Sequence, residues 1–201
     1  MKLYYATGSC SLSPHIILNE AGLPFEKVRV DLRTRKTQNG DDFLKINPNG
    51  YVPALELDSG EILTEGVVII QYLADQVPGK HLIPACGSMA RYRALEWLNF
   101  IATEIHKSFS PLFNASMPAE AKQFSIDKLV NRFKWVDTQL ATKQYALGDT
   151  FSVVDAYLFT VASWCPGLGI SLDEFKNLTA YLQRVKARPT VQEAMKGEGL
   201  Q

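Results

Sequence analysis

Cysteine is scarce in this chain. Its three copies, Cys10, Cys86 and Cys165, are odd in number and far apart. That spacing supplies neither a disulfide framework nor a zinc site, and it fits a reducing compartment, the cytoplasm. Net charge is missing too: 21 Lys plus Arg balance 21 Asp plus Glu, so there is no basic surplus to bind nucleic acid or an anionic membrane. The longest apolar stretch, around Ala156 to Cys165, is broken by Thr160 and Ser163 and falls well short of a bilayer span. No charged-then-apolar leader precedes the strand-like Leu3–Tyr5, so no secretory signal is expected. A Ser/His/Asp triad, a Gly-rich phosphate loop and a metal-ligand cluster are absent as motifs.

What is present is an ordinary globular composition, 46% apolar and 21% charged, over a length that holds one large domain or two small ones. The first part alternates strand and helix periodicity. Leu3–Tyr5, Glu26–Val30, Ala54–Leu57 and Glu61–Leu63 read as strands, and Asp58-Ser59-Gly60 as the turn of a hairpin. Ser11–Ala21, ended by Gly22 and Pro24, reads as a helix, as do the short Asp41–Ile46 and Gly66–Ala74. The order βαβαββα defines an α/β, thioredoxin-like domain over residues 1–80. Pro78 to Pro84 is suited to a linker. Beyond it, Arg91–Phe109, Ala119–Leu140, Val153–Trp164 and Leu172–Ala187 read as helices, so 87–201 is expected to be all-helical. Ser152 and Asp155 have the spacing of a capping box, with Phe151 as its apolar staple.

Cys10 lies between the first strand and the first helix, where unpaired amides and the helix dipole favour an anion. That position predicts a lowered thiol pKa and makes Cys10 the thiol expected to react first. Ser13 stands where a Cys-x-x-Cys motif has its second cysteine, so a mixed disulfide at Cys10 needs an external thiol, which points toward glutathione. A cis Val52-Pro53 bond turns the Val52 N–H and C=O outward for a peptide-like ligand; a trans bond is an ordinary strand entry. Glu65 is either a ligand-ammonium acceptor at a helix start or an acidic first-turn residue favoured by the dipole. Asn99, Thr103 and His106 fall on one stripe of a regular helix, with Lys107 beside it and Glu104 well away from it. Phe109, Phe113 and Trp164 wall an apolar pocket or simply fill a core. His15 and His81 have no supporting constellation, and Cys86 and Cys165 read as small apolar fillers.

Gly8-Ser9-Cys10-Ser11-Leu12-Ser13, Asn47-Pro48, Val52-Pro53-Ala54-Leu55, Leu63-Thr64-Glu65-Gly66-Val67, Glu96-Trp97-Leu98-Asn99, Ile105-His106-Lys107 and Val154-Asp155-Ala156-Tyr157 occur in that order. Together they closely resemble the beta-class (bacterial) glutathione S-transferases, from Met1 to about Gly199. The resemblance implies an enzyme that conjugates reduced glutathione to electrophilic, mostly hydrophobic small molecules, with glutathione as substrate and no metal. It implies that Cys10 contacts the glutathione sulfur and can form a mixed disulfide, that His106 takes part in the chemistry, and that Val52 before a cis Pro53 pairs with the tripeptide backbone. Glu65 and Gly66 would hold the γ-glutamyl end. Arg35, where close relatives have Lys, would meet the glycyl carboxylate, and Asn99, Thr103, Glu104 and Lys107 would complete the glutathione site. Gly66 replaces the Ser common in the wider superfamily. Tyr5 is similar to the catalytic tyrosine of other classes and joins Phe109, Phe113 and Trp164 as an electrophile-pocket candidate. A homodimer is implied. The same residues also fit a glutathione-dependent thiol–disulfide oxidoreductase or peroxidase, and the fold fits a non-catalytic glutathione- or hydrophobic-ligand-binding protein.

Overall fold

Alternating side chains place Leu3 and Tyr5 on one face of strand β1 (Lys2–Tyr5) and Tyr4 on the other, and all three are buried. A parallel partner strand needs a crossover. Helix α1 (Leu12–Ala21) supplies it before β2 (Glu26–Asp31). Gly22 ends α1 in the left-handed region at φ 68°, a conformation glycine adopts without penalty. Strands β3 (Lys36–Thr37), β4 (Ala54–Glu56) and β5 (Ile62–Thr64) complete a five-stranded sheet of order β3-β2-β1-β4-β5, in which β1–β2 is parallel and the other pairings are antiparallel. Helix α2 (Gly66–Asp75) follows. Tyr4, Val28, Val30, Phe43, Val52 and Ala54 form one apolar cluster. The fully buried Ile16, Ile17, Ile69, Ile70 and Leu73 belong to α1 and α2, which pack together.

Residues 1–200 are described by this computed structural model. They fall into two units, Met1–Ile83 with the segment from Ala187 onward, and Pro84–Lys186. Two local features of the first unit differ from the periodicity. Asp41–Ile46 is no helix but a single 3₁₀ turn, Phe43–Lys45, opened by the Asp42 carboxylate accepting from the Leu44 N–H at 3.1 Å. Strand β3 is two residues long, too short for alternation to reveal it.

In the second unit Ser88 caps α3 (Met89–Phe100) by accepting the Arg91 N–H at 3.1 Å. The helix expected to run unbroken to Phe109 instead changes pitch twice. Ile101–Ile105 is a π turn, His106–Phe109 a 3₁₀ turn, and α4 (Ser110–Phe113) closes the run. Helices α5 (Ala119–Leu140), α6 (Val153–Ala162) and α7 (Lys176–Lys186) complete this unit. Helix α6 is buried along its whole length, and the Ser152–Asp155 capping box is formed. Asp155, fully buried, also accepts from the Ala146 N–H at 2.8 Å and the Tyr181 hydroxyl at 2.9 Å.

Helix α8 (Pro189–Gly197) corrects the expected domain boundary, because it belongs to the first unit and not to an all-helical 87–201 block. It packs on α1, where Arg188 Nε and Nη2 donate to the Glu20 carboxylate at 2.7 and 2.9 Å. Periodicity marks a helix without saying which core receives its apolar face.

Candidate active site

The loop leaving β1 holds Cys10 by a mesh of short bonds. Ser11 is fully buried; its hydroxyl donates to the Ala6 carbonyl at 3.2 Å and lies 2.7 Å from the Ser9 hydroxyl. The Ser13 hydroxyl, in the place of a resolving cysteine, donates to the Cys10 carbonyl at 3.0 Å. Cys10 itself is half-buried, and its thiol donates to the Val52 carbonyl at 3.3 Å.

The Val52-Pro53 bond is cis. Of the two Val52 groups expected to turn outward, the carbonyl receives the Cys10 thiol, while the N–H has no partner among the described residues. Pro53 lies against the start of α2: a Cβ built on Gly66 would stand 3.4 Å from Pro53 Cγ. Glu65, the residue before α2, has φ 65° and ψ 108°. Left-handed backbone at a non-glycine residue costs of order 1–3 kcal/mol and concentrates at functional sites. Its carbonyl accepts from Val68 and Ile69, both at 2.9 Å, and its side chain is exposed. Arg35, also left-handed at φ 57°, donates to the Gly50 carbonyl on the loop leading to Val52. Cys10, Val52, Pro53, Glu65 and Gly66 are thus brought together, with Arg35 holding the same loop at Gly50.

The electrostatics overturn one expectation. The Cys10 thiol is not lowered but pushed up to about 11, above its ordinary 9.0. Desolvation is the largest cause, and the Glu65 carboxylate adds to it. The amide donors of Cys10 and Ser11 act in the anticipated direction and are outweighed.

In the helical unit the π turn separates His106 from its supposed stripe. The His106 N–H bonds back to Ile101 as well as Ala102, so the 100° step on which the Asn99–Thr103–His106 alignment rested does not hold here. Asn99 and Thr103 are exposed and joined by the Thr103 hydroxyl donating to the Asn99 carbonyl at 3.0 Å; Lys107 is exposed as well. Glu104 turns to α5. It pairs with Arg132 at 2.7 Å and Lys128 at 3.5 Å on α5, and the Arg132 hydrogen bond holds its carboxyl below the usual range.

His106 Nδ1 lies 2.6 Å from the Tyr157 hydroxyl, and its ring meets Trp164 edge-on at 5.1 Å. Burial, with Lys107 adding to it, lowers its pKa from 6.5 to about 4, so the imidazole is neutral at pH 7. Trp164 in turn meets Phe109 at 5.2 Å and Phe113 at 5.5 Å, with Phe113 still exposed. Those three pocket candidates form one aromatic cluster around His106. Tyr5 is placed differently: it is buried in the sheet of the first unit, with the His15 ring at 6.4 Å and Lys27 Nζ 5.7 Å from its ring centre. Sequence reasoning gave Tyr157 no role, since nothing local ties it to a histidine 51 residues away. It also passed over His15, whose partner lies near the other end of the chain.

Among the described residues no group of three or more His, Cys, Asp or Glu side chains is placed to hold a metal, and no helix is long and apolar enough to cross a membrane.

A thiol beside a cis proline on a five-stranded mixed sheet, followed by a helical unit, defines a thioredoxin-like domain joined to a helical one. Family models agree: residues 7–76 match the glutathione S-transferase N-terminal domain and residues 100–189 the C-terminal domain. The chain belongs to the glutathione S-transferase family. It is 46% identical to the glutathione S-transferase GstA of Escherichia coli O157:H7 over all of both chains. Its fold matches that of BphK, a bacterial glutathione S-transferase solved as a ternary complex, with a TM-score of 0.98 and 54% identity over all of both chains. The beta-class glutathione S-transferase of Sphingomonas chungbukensis gives 0.97 and 46%, again with full coverage of both.

Proposed function

We propose that this transferase binds glutathione on the Cys10–Val52–Glu65 surface and conjugates it to electrophilic, mostly hydrophobic small molecules. The observation that carries the reading is the Val52 N–H, without a partner beside a cis Pro53 and next to the Cys10 thiol. It is suited to an extended peptide backbone. Glu65 receives the γ-glutamyl ammonium while the first amides of α2, beginning with Gly66, receive its carboxylate; Arg35 meets the glycyl carboxylate. Because Cys10 stays protonated near neutral pH, its one S–H, turned from the Val52 carbonyl, serves as a hydrogen-bond donor to the glutathione sulfur, and the negative charge resides on glutathione. The glutathione thiol gives its proton to solvent water, its sulfur forms a bond to the electrophilic carbon, and the leaving group departs with its electron pair. Neutral His106 assists as a donor or proton relay, while Phe109, Phe113 and Trp164 receive the apolar substrate. Asn99, Thr103 and Lys107 have supporting roles, and Glu104 braces the π turn. The protein works as a cytoplasmic homodimer.

A second activity rests on the partial exposure of Cys10, and it runs through the small fraction of Cys10 that is thiolate. That thiolate attacks the glutathione sulfur of a mixed disulfide between glutathione and a second thiol, forming a Cys10–glutathione disulfide and releasing that second thiol. A glutathione thiolate then attacks the Cys10–glutathione disulfide, restoring Cys10 and leaving as glutathione disulfide. Conjugation of an aromatic chloride and reduction of a mixed disulfide, assayed on the protein and on Cys10→Ala, test both. Cys10→Ala is expected to lose the disulfide activity entirely and to keep conjugation at a rate lower by roughly tenfold to a hundredfold, the worth of one charge-assisted hydrogen bond. Glutathione binding with no turnover in either assay refutes both readings and leaves a binding protein.

A further inference from the structure

The C-terminal turn of the chain is built onto the loop that carries Cys10. Glu198 is buried, with its carboxylate divided between two partners: Oε1 lies 2.9 Å from His15 Nδ1, and Oε2 accepts the Gly8 N–H at 3.0 Å. One residue, Ser9, separates Gly8 from Cys10. The side chain is aimed there by the way α8 ends. The Leu200 N–H bonds to Met195 at 2.8 Å and the Gly199 N–H to Lys196 at 3.0 Å, with Gly199 at φ 74°, a Schellman motif with glycine in its left-handed position. Leu200 then covers Gly8, its Cδ2 lying 3.4 Å from where a Cβ on Gly8 would stand. Lys27 Nζ donates to the Gly197 carbonyl at 2.7 Å, tying the same turn to β2. The pairing of His15 with Glu198 spans 183 positions, and the sulfur chemistry uses neither residue.

We propose that Glu198 is a positioning residue: by gripping Gly8 it fixes the Gly8–Cys10 loop so that the Cys10 sulfur meets the glutathione sulfur at the required place. The inference rests on the proposed role of Cys10. Glu198 acts through geometry, since a glutamine retains an acceptor for Gly8 and a group to meet His15.

The test compares Glu198→Ala, Glu198→Gln and a control, Glu20→Gln, which weakens the separate Arg188 tie between α1 and α8. The readouts are glutathione KM and kcat in conjugation, iodoacetamide labelling of Cys10 and Cys165 by mass spectrometry, and Tm. Glu198→Ala is expected to raise glutathione KM about threefold to tenfold, the range for one lost hydrogen bond. It is also expected to label Cys10 faster at neutral pH as the loop loosens, with buried Cys165 unaffected. Glu198→Gln should restore both readouts, and Glu20→Gln should lower Tm without changing either. If Glu198→Ala does not fold, Leu200→Ala, which uncovers Gly8, has the same expectation. Unchanged KM and Cys10 labelling in the alanine variant, or both changes reproduced by Glu20→Gln, overturns the proposal. A protein that never conjugates glutathione and takes none at Cys10 refutes the proposed function instead, and the labelling comparison still reads the loop.

Discussion

Cys10 should be a slow thiol in the absence of glutathione, and the size of the effect is calculable. With its pKa pushed up to about 11, roughly one molecule in 10⁴ is a thiolate at pH 7, against about one in 30 for a free cysteine near 8.5. Alkylation proceeds through the thiolate. The rate at Cys10 should therefore lie two to three orders of magnitude below that of a free cysteine, on the order set by those fractions. It should also climb about tenfold per pH unit through the accessible range. Cys86 is exposed and should label before Cys10, the reverse of what the helix-end argument alone implies. Timed iodoacetamide pulses between pH 6 and 10, with peptide mapping, measure both sites in one sample. Glu65→Gln removes the carboxylate that raises the thiol pKa and should speed Cys10 labelling, though desolvation remains the larger cause. Folding favours the protonated thiol, so its contribution to stability is complete below about pH 9 and fades as pH rises through about 11. A Cys10 rate that levels off by pH 7 would refute the reasoning and restore a low-pKa nucleophile.

His106→Ala should slow conjugation several-fold to about tenfold, within the range of one orienting hydrogen bond, with glutathione affinity nearly kept; kcat and a binding isotherm on the same variant check it. Because the His106 pKa falls from 6.5 to about 4 on folding, stability is full above about pH 6.5 and is lost as pH falls toward 4. A chemical-denaturation series should show that loss reduced in the alanine variant. Asp155→Ala leaves the Ala146 and Ser152 amides and the Tyr181 hydroxyl without their buried acceptor. At about 1–3 kcal/mol per stranded group it should cost at least about 3 kcal/mol, read from the denaturation midpoint. Sedimentation equilibrium at micromolar concentration should show a dimer, and a monomer near 22.4 kDa alone would contradict it.

The sequence by itself determined what local chemistry controls. Alternation marked β1 and β2, Gly22 and Pro24 ended α1, Asp58-Ser59-Gly60 turned the hairpin, and Ser152 with Asp155 announced α6, because each effect acts within a few residues. The motifs around Cys10, Val52-Pro53 and Glu65 were legible for the same reason, and those residues do come together in the first unit. Tertiary structure decided the rest. The start of α7 is later than periodicity suggests because Asp137 on α5 receives the Leu178 N–H at 2.8 Å and the Asn177 amide at 3.0 Å, a cap supplied from 40 residues away. The π turn at Ile101–Ile105 broke a helical count that assumed 3.6 residues per turn throughout. Cys10 shows the division most clearly. The amides of Cys10 and Ser11 favour a thiolate, but burial in the folded unit removes water, the largest effect, and Glu65 from elsewhere in the sequence adds negative charge, so the balance leaves the thiol protonated.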